Sequence, residues 1–341
     1  MWFYFVIFIF ISFFCFVNIK LKQKNIVFWL IVLLLIAIAG FSGNISRDHE
    51  SYISSYYLVI NGKLKISDIS FKIISLLVDK LFHKPLFLFI IYAILGVTLK
   101  AIAIKRLSEF WFFSILIYFS FYFFLHELTQ IRAGVASAFI LMSIPYIYEK
   151  NPKKFFLYAG AAAVFHFSAL VLLPFYFLKR DKIHTWYFFL IPFGYLLHFL
   201  NVNLSSLIQL INIDIINYKY VLYTHNVENQ KINIFNVLMI SRYILCGLFL
   251  WKWKLLREKN PYSVILIKFY IIAGFIFIAF ADIPGVAFRV SELLEIVEII
   301  LIPYIIYLTN IHLMGKIAVG IIGFLFLVTL LFHDKLVLGY F

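Results

Sequence analysis

Acidic side chains are scarce in this chain of 341 residues, sixteen Asp and Glu against thirty Lys and Arg. Charged residues of both signs make up only 13%, so no stretch has the polar density of a soluble surface. The longest stretch without a spanning-length apolar run, roughly residues 201–233, is too short for an independent fold. Cysteine is nearly missing as well. Cys15 and Cys246 both lie in apolar runs, which argues against a disulfide framework and against a cysteine metal site. No Gly-rich phosphate loop, nucleophile elbow, haem signature or flavin signature occurs, so neither ATP-driven chemistry nor a soluble cofactor is expected.

What the chain has instead is apolar. Hydrophobic residues account for 64% and aromatics for 21%, which makes a lipid bilayer the solvent for most of it. The expected fold is an all-α polytopic membrane protein, one integral membrane domain over residues 1–341. At ~20 apolar residues per crossing, spans fall near 2–17, 26–42, 86–104, 109–126, 131–149, 184–200, 234–253, 262–281, 291–309 and 315–333. That is about ten transmembrane helices. The net charge of +14 gathers in short clusters between spans, which fits positive-inside topology and not nucleic-acid binding. Lys20/Lys22/Lys24, Lys105/Arg106, Lys150/Lys153/Lys154, Lys179/Arg180/Lys182 and Lys252/Lys254/Arg257/Lys259 are thereby cytoplasmic. The first run has no basic region before it and no small-residue cleavage site, so it reads as an uncleaved span with the N-terminus outside.

Residues 155–178 break the alternation, because basic clusters flank both ends. A single crossing would invert every later loop, so the segment is expected to be a helical hairpin turning near Phe165-His166-Phe167. Counting 1.5 Å per residue puts His166 ~15 Å from the cytoplasmic face. The outside segments 43–85, 126–131, 201–233 and 282–290 hold most of the acids together with Arg47, Arg132 and Arg289. In the first of them, Ile69, Ile73, Leu76, Leu77 and Leu81 recur at helical spacing, the pattern of an interfacial amphipathic helix. Segment 201–233 is rich in Asn and Tyr, which suits carbohydrate but is also ordinary loop composition.

Ionisable groups inside such a chain are candidates for function, because burying one in lipid costs several kcal/mol unless it is paired. Glu127, Gln130 and Arg132 open a helix whose Ala133, Gly134, Ala136, Ser137 and Ala138 suit close helix packing. Arg132 there is either a snorkelling interfacial arginine or a fork for phosphate oxygens. His166 stands alone, without a second His at ligand spacing, so no metal is expected there. It is either a hydrogen-bonded turn residue or part of a site. Arg289, Glu292 and Glu295 share one helix face, as mutually neutralising ion pairs or as a phosphate-binding arginine with a carboxylate beside it. In the first outside loop Asp48 and Glu50, followed by Tyr52, are two acids that could hold a divalent cation on phosphates, a weak signal at that spacing. Otherwise they are loop charges or a base, with Asp48 the first choice for the base.

Thr129-Gln130-Ile131-Arg132-Ala133-Gly134, a following span, and Phe165-His166-Phe167-Ser168-Ala169 resemble the signature of the EpsG-like, Wzy-type polysaccharide polymerases. Asp48 with Tyr52 is similar to that family's first-loop pair. Asp68-Ile69-Ser70-Phe71-Lys72 resembles its Glu-Pro-Gly-Phe segment, with Pro and Gly absent, and Arg289 resembles its late arginine. The resemblance implies a GT-C-like architecture in a bacterial cytoplasmic membrane. It also implies polymerisation at the outer face of oligosaccharide repeats linked to undecaprenyl pyrophosphate, into O-antigen, capsule or exopolysaccharide. The expected partners are that lipid-linked oligosaccharide, membrane lipid and a chain-length regulator protein. On this reading Arg132 and Arg289 hold pyrophosphate, His166 binds phosphate or supports the site, and Asp48 meets the acceptor hydroxyl. Tyr52, Glu127, Gln130 and Glu292 contact substrate. A flippase for the same lipid-linked glycan, and a ligase that passes on finished glycan, are the rival readings.

Overall fold

The computed structural model describes residues 2–18, 20–63, 68–202, 204 and 232–334. Most of the Asn-rich segment 201–233 lies outside them. Among the described residues the protein is helical, with no strand. Five helices are long and apolar enough to cross a bilayer: Leu21–Gly40, Leu86–Leu107, Trp111–Thr129, Ile131–Tyr148 and His312–Phe332. Shorter apolar helices accompany them, including Trp2–Phe16, Val237–Trp251 and Ser263–Ala279. This is an all-α membrane protein.

The chain divides into two compact units, one of residues 1–176 with 298–341 and the other of residues 177–297. The first unit runs α1 (Trp2–Phe16), α2 (Leu21–Gly40), α3 (His49–Ile60), α4 (Ile69–Phe82), α5 (Leu86–Leu107), α6 (Trp111–Thr129), α7 (Ile131–Tyr148) and α8 (Pro152–Phe165). Helix α5 packs on both α2 and α7, and α7 packs on α8. From Tyr118 to Thr129, α6 is wound as a π-helix and is buried throughout. Ring contacts five residues apart accompany that winding. Tyr118 meets Phe123 with ring centroids 6.1 Å apart, and Phe119 meets Phe124 at 5.4 Å. Both pairs are five residues apart, a spacing that wider turns bring into register. The Thr129 hydroxyl donates to the Phe124 carbonyl at 3.0 Å, again five residues back. Wide turns of this kind are frequent at functional sites.

Helix α4 has the expected apolar stripe, and that stripe faces away from the protein. Ile69, Ile73, Leu76, Leu77 and Leu81 are all exposed, while Ser70, Phe71, Ser75 and Val78 are buried. Phe71 and Val78 join Tyr52, Tyr56, Leu88, Phe89, Tyr92, Ile131 and Val135 in one core that ties α3, α4, α5 and α7 together. A helix with one face in such a core and an apolar face left open suits a lipid surface.

In the second unit, α9 (Leu190–Phe199), α10 (Val237–Trp251), α11 (Trp253–Lys259), α12 (Ser263–Ala279) and α13 (Pro284–Glu295) follow. Met239, Phe277, Ile278 and Ala287 form its core. Residues 184–200 are built as a 3-10 turn, Thr185–Phe189, and the ten-residue α9. Around 291–309 the chain is also segmented. Helix α13 begins earlier, at Pro284, and ends at Glu295. Back in the first unit come α14 (Glu298–Leu301), a 3-10 stretch Ile302–Leu308 and α15 (His312–Val328). Pro303 supplies one reason, because it lacks the N–H that a continuing helix would use.

Candidate active site

The residues that bring the site together start with a helix cap that does not cap. Asp68 occupies the N-cap position of α4, where a carboxylate ordinarily accepts from the first backbone N–H groups of its own helix. Here its side chain makes no such bond. Its Oδ2 accepts from Arg132 Nη1 at 2.9 Å and lies 3.4 Å from His166 Nδ1. Its Oδ1 accepts from the Phe167 backbone N–H at 3.4 Å. One carboxylate therefore ties the start of α4 to the first turn of α7 and to the break after α8.

That break is where the sequence indicates a turn. Helix α8 ends at Phe165, His166 is extended at φ −150° and ψ 116°, and a 3-10 segment Phe167–Phe177 follows. The two arms are antiparallel. Tyr176 hydroxyl donates to the Lys150 carbonyl at 3.2 Å, and its ring lies 5.2 Å from that of Phe155. Helix α8 starts at Pro152 and rises ~21 Å over its turns, which carries His166 to the Arg132 end of α7 and not to its middle.

Aromatic rings frame the arginine. The Arg132 guanidinium carbon is 5.6 Å from the Tyr52 ring centroid and 5.5 Å from that of Phe71. Ser70 and Tyr92 hydroxyls meet at 3.2 Å beside it. The Asp68 side chain is 4% exposed and that of His166 6%, whereas Arg132 keeps 28%. Arg132 Nε is buried without a hydrogen-bond partner. The site thus offers one accessible cation, positioned by a buried acid and flanked by π-faces.

The other sequence candidates take separate places. Asp48 is half-buried at the N-cap of α3, and its carbonyl accepts from the Tyr52 N–H at 3.0 Å. Next to it, His49 stacks on Phe89 with centroids 4.4 Å apart, and burial holds its pKa below the ordinary value. Further along α3, burial first and then the Asp79 carboxylate, on which it donates a hydrogen bond, push the Tyr56 hydroxyl up to about 12. Gln130 stands at the N-cap position of α7 and is half-buried. Glu127 is enclosed. Its Oε1 accepts from Lys100 Nζ at 2.5 Å and from the Tyr118 hydroxyl at 3.0 Å, and Lys100 also donates to the Gly134 carbonyl at 2.6 Å. A Cβ at Gly96 would collide with Glu127 Oε2, and one at Gly134 would stand 2.8 Å from the His126 carbonyl. Two glycines therefore make room for this buried pair. Arg289 and Glu292 are half-buried on α13 of the second unit, where Glu295 lies 2.6 Å from Arg242 Nη1. Among the described residues no three His, Cys, Asp or Glu side chains converge as metal ligands would.

Sequence reasoning missed Asp68 as a site residue, and it passed over Lys100 and Arg242 altogether. The two cations carried a usable signal, because each interrupts a run otherwise fit to span lipid.

A bundle of apolar spanning helices with a half-open arginine at the end of one of them defines a polytopic α-helical membrane protein with a polar site at its helix ends. The EpsG family model matches residues 25–339, nearly the whole chain, and the protein belongs to the EpsG family. Comparison with curated proteins and with solved structures gives no match.

Proposed function

We propose that the protein polymerises lipid-linked oligosaccharide repeats into a surface polysaccharide at the outer face of a bacterial cytoplasmic membrane. EpsG family membership suggests a polysaccharide polymerase-like role. The observation that carries the finer reading is the Asp68–Arg132–His166 cluster with Arg132 its accessible member. The donor is a glycan on undecaprenyl pyrophosphate, and the acceptor is a hydroxyl of another repeat. The acceptor oxygen bonds to the anomeric carbon while the bond from that carbon to the pyrophosphate oxygen breaks. The electron pair leaves on the diphosphate, and the hydroxyl proton passes to a base.

Arg132 is suited to the leaving group. A guanidinium fixed by Asp68 presents its remaining N–H groups to phosphate oxygens as a fork. Arg289 is proposed as a second cation for the diphosphate, with Glu292 beside it. His166 is a better base than Asp48 on geometry. When its Nδ1–H donates to Asp68, the imidazole carries its lone pair on Nε2, the tautomer a general base requires. Tyr52 and the neighbouring rings offer faces for sugar. Glu127 is proposed to position α7 from within, because Lys100 and Tyr118 enclose it. The ten-span count, the hairpin entering from the cytoplasm and the GT-C-like architecture belong to the same proposal.

The test is the glycan ladder of a strain that lacks the protein, complemented with variants. A polymerase leaves single repeats displayed when it is lost, whereas loss of a flippase or a ligase displays none. Arg132→Lys should return the single-repeat pattern with normal insertion, since a point charge does not replace a fork on diphosphate. Wild-type chain lengths from that variant would remove Arg132 from the leaving-group site.

The proposal is metal-independent. An arginine in a water-poor site stabilises departing charge by about 2–4 kcal/mol, comparable to one oxyanion-hole donor, and the reading employs two. Purified protein should elongate lipid-linked repeats in EDTA at close to its rate without chelator. Abolition by EDTA with restoration by Mg²⁺ or Mn²⁺ would replace the arginine clamp with a metal one.

A further inference from the structure

A cavity of about 190 Å³ opens in the first unit where α1, α2, α6 and α15 come together. None of the residues of the Asp68 cluster lines it. Its lining includes the apolar Phe14, Phe112 and Phe113 together with Lys24, Lys316 and Trp111. Lys24 Nζ sits 4.6 Å from the Trp111 ring centroid and donates to the Glu109 carbonyl at 3.3 Å. Lys105, from α5, approaches the same ring at 4.9 Å. Glu109 also lines the cavity, and its carboxylate accepts from the Tyr307 hydroxyl at 2.9 Å. Lys24 and Lys316 thus share the lining with one carboxylate, Glu109, so the charge on the lining is net positive.

The charge pattern says which side of the bilayer this is. Lys20, Lys22 and Lys24 precede or open α2, and Lys105 with Arg106 closes α5, so the positive-inside rule puts the cavity at the cytoplasmic interface. Beside its lining residues, Phe13 and Phe16 of α1 and Ile317 of α15 are exposed apolar side chains. A cavity lined by both cations and phenylalanines selects an amphipathic anion. Basic pockets between helices on this face are suited to phosphate headgroups, and aromatic rings at headgroup level suit the adjoining glycerol and acyl chain.

We infer that this cavity binds the phosphate headgroup of an anionic phospholipid of the cytoplasmic leaflet, with its acyl chain against the lining phenylalanines. The inference does not depend on the polymerase reading, because no residue of the proposed active site takes part.

The experiment is native mass spectrometry of the purified full chain with phosphatidylglycerol, with phosphatidylcholine and with inorganic phosphate. Wild-type protein should retain phosphatidylglycerol in preference to phosphatidylcholine, and millimolar inorganic phosphate should not displace it. The double variant Lys24→Gln with Lys316→Gln should lose affinity for phosphatidylglycerol by roughly tenfold, the consequence of two cations removed from an anionic headgroup. Lys22→Gln, an exposed lysine that does not line the cavity, should leave binding unchanged. Unfolding temperature supplies the second reading: phosphatidylglycerol should raise it in the wild type and not in the double variant. Equal retention of both lipids, or an undiminished phosphatidylglycerol adduct in a folded double variant, overturns the site. Displacement by inorganic phosphate alone overturns the lipid as its occupant.

Discussion

Asp68→Asn should abolish long-chain glycan while the protein still inserts, with a fall in turnover of about a hundredfold or more. Asparagine keeps the size and one acceptor oxygen, so the start of α4 has no steric reason to move. What it loses is charge, at a point where a single carboxylate serves three partners. Arg132 would lose the anion that aims it from 2.9 Å, and a hydrogen bond of that kind is roughly twice as strong as a neutral one. His166 would lose the acceptor that selects its tautomer, and the amide can present an N–H to Nδ1 in place of the oxygen. The imidazole would then carry its proton on Nε2, where a base needs its lone pair. Both effects act on the bond-making step, so the loss belongs in kcat and not only in KM. Asp48→Asn, measured in parallel, decides between Asp48 and Asp68 as the carboxylate that serves the reaction. If Asp48→Asn abolishes elongation and Asp68→Asn leaves it intact, the base belongs at Asp48 and the Asp68 cluster is structural.

How far the sequence foretold this site depends on whether the signal was local. The apolar runs state the membrane fold directly, because lipid forces every spanning backbone to satisfy its own hydrogen bonds. The helix break at His166 falls inside 155–178, where basic residues at both ends make a single crossing topologically awkward, and the hairpin itself belongs to the proposal. Asp68 was hidden for the opposite reason. It stands at the start of an amphipathic helix, where an Asp is explained by capping alone, and its partners lie 64 and 98 residues away. Nothing near position 68 encodes Arg132. The reverse inference was open, because an arginine beside an outer membrane face with so few acids in the chain has few candidates to pair with. Lys100, Arg242 and Lys268 show a signal present and not used. All three interrupt apolar stretches, and each finds a partner: Glu127, Glu295 and the Lys179 carbonyl. Span boundaries were least legible where proline breaks the hydrogen-bond ladder, as at Pro303, while hydropathy continues undisturbed.

Lys100 sets up the second large effect. Lys100→Met should destabilise the protein by about 3–5 kcal/mol, the cost of leaving a buried ion without its partner. The side chains of Lys100 and Glu127 are 0% and 1% exposed, so no water can replace the missing cation. Glu127→Gln alone should be costly by the same reasoning, because it leaves the ammonium with only the Gly134 carbonyl. Combining the two should recover much of the loss. Removing both charges removes both desolvation penalties, and a well-packed neutral replacement of a buried pair is often close to neutral in stability. Tyr118 can still donate to the Gln side-chain oxygen, so that hydroxyl is not stranded. The measurement is a double-mutant cycle on unfolding temperature and on yield of folded protein in neutral detergent. A double variant more stable than either single one is the expected outcome. Losses that simply add would mean that the two groups do not act as a pair. The same pocket leaves no free space for a Cβ at Gly96, four residues before Lys100 on α5. A methyl there meets the Glu127 carboxylate itself, so the helix must yield or the pair must open.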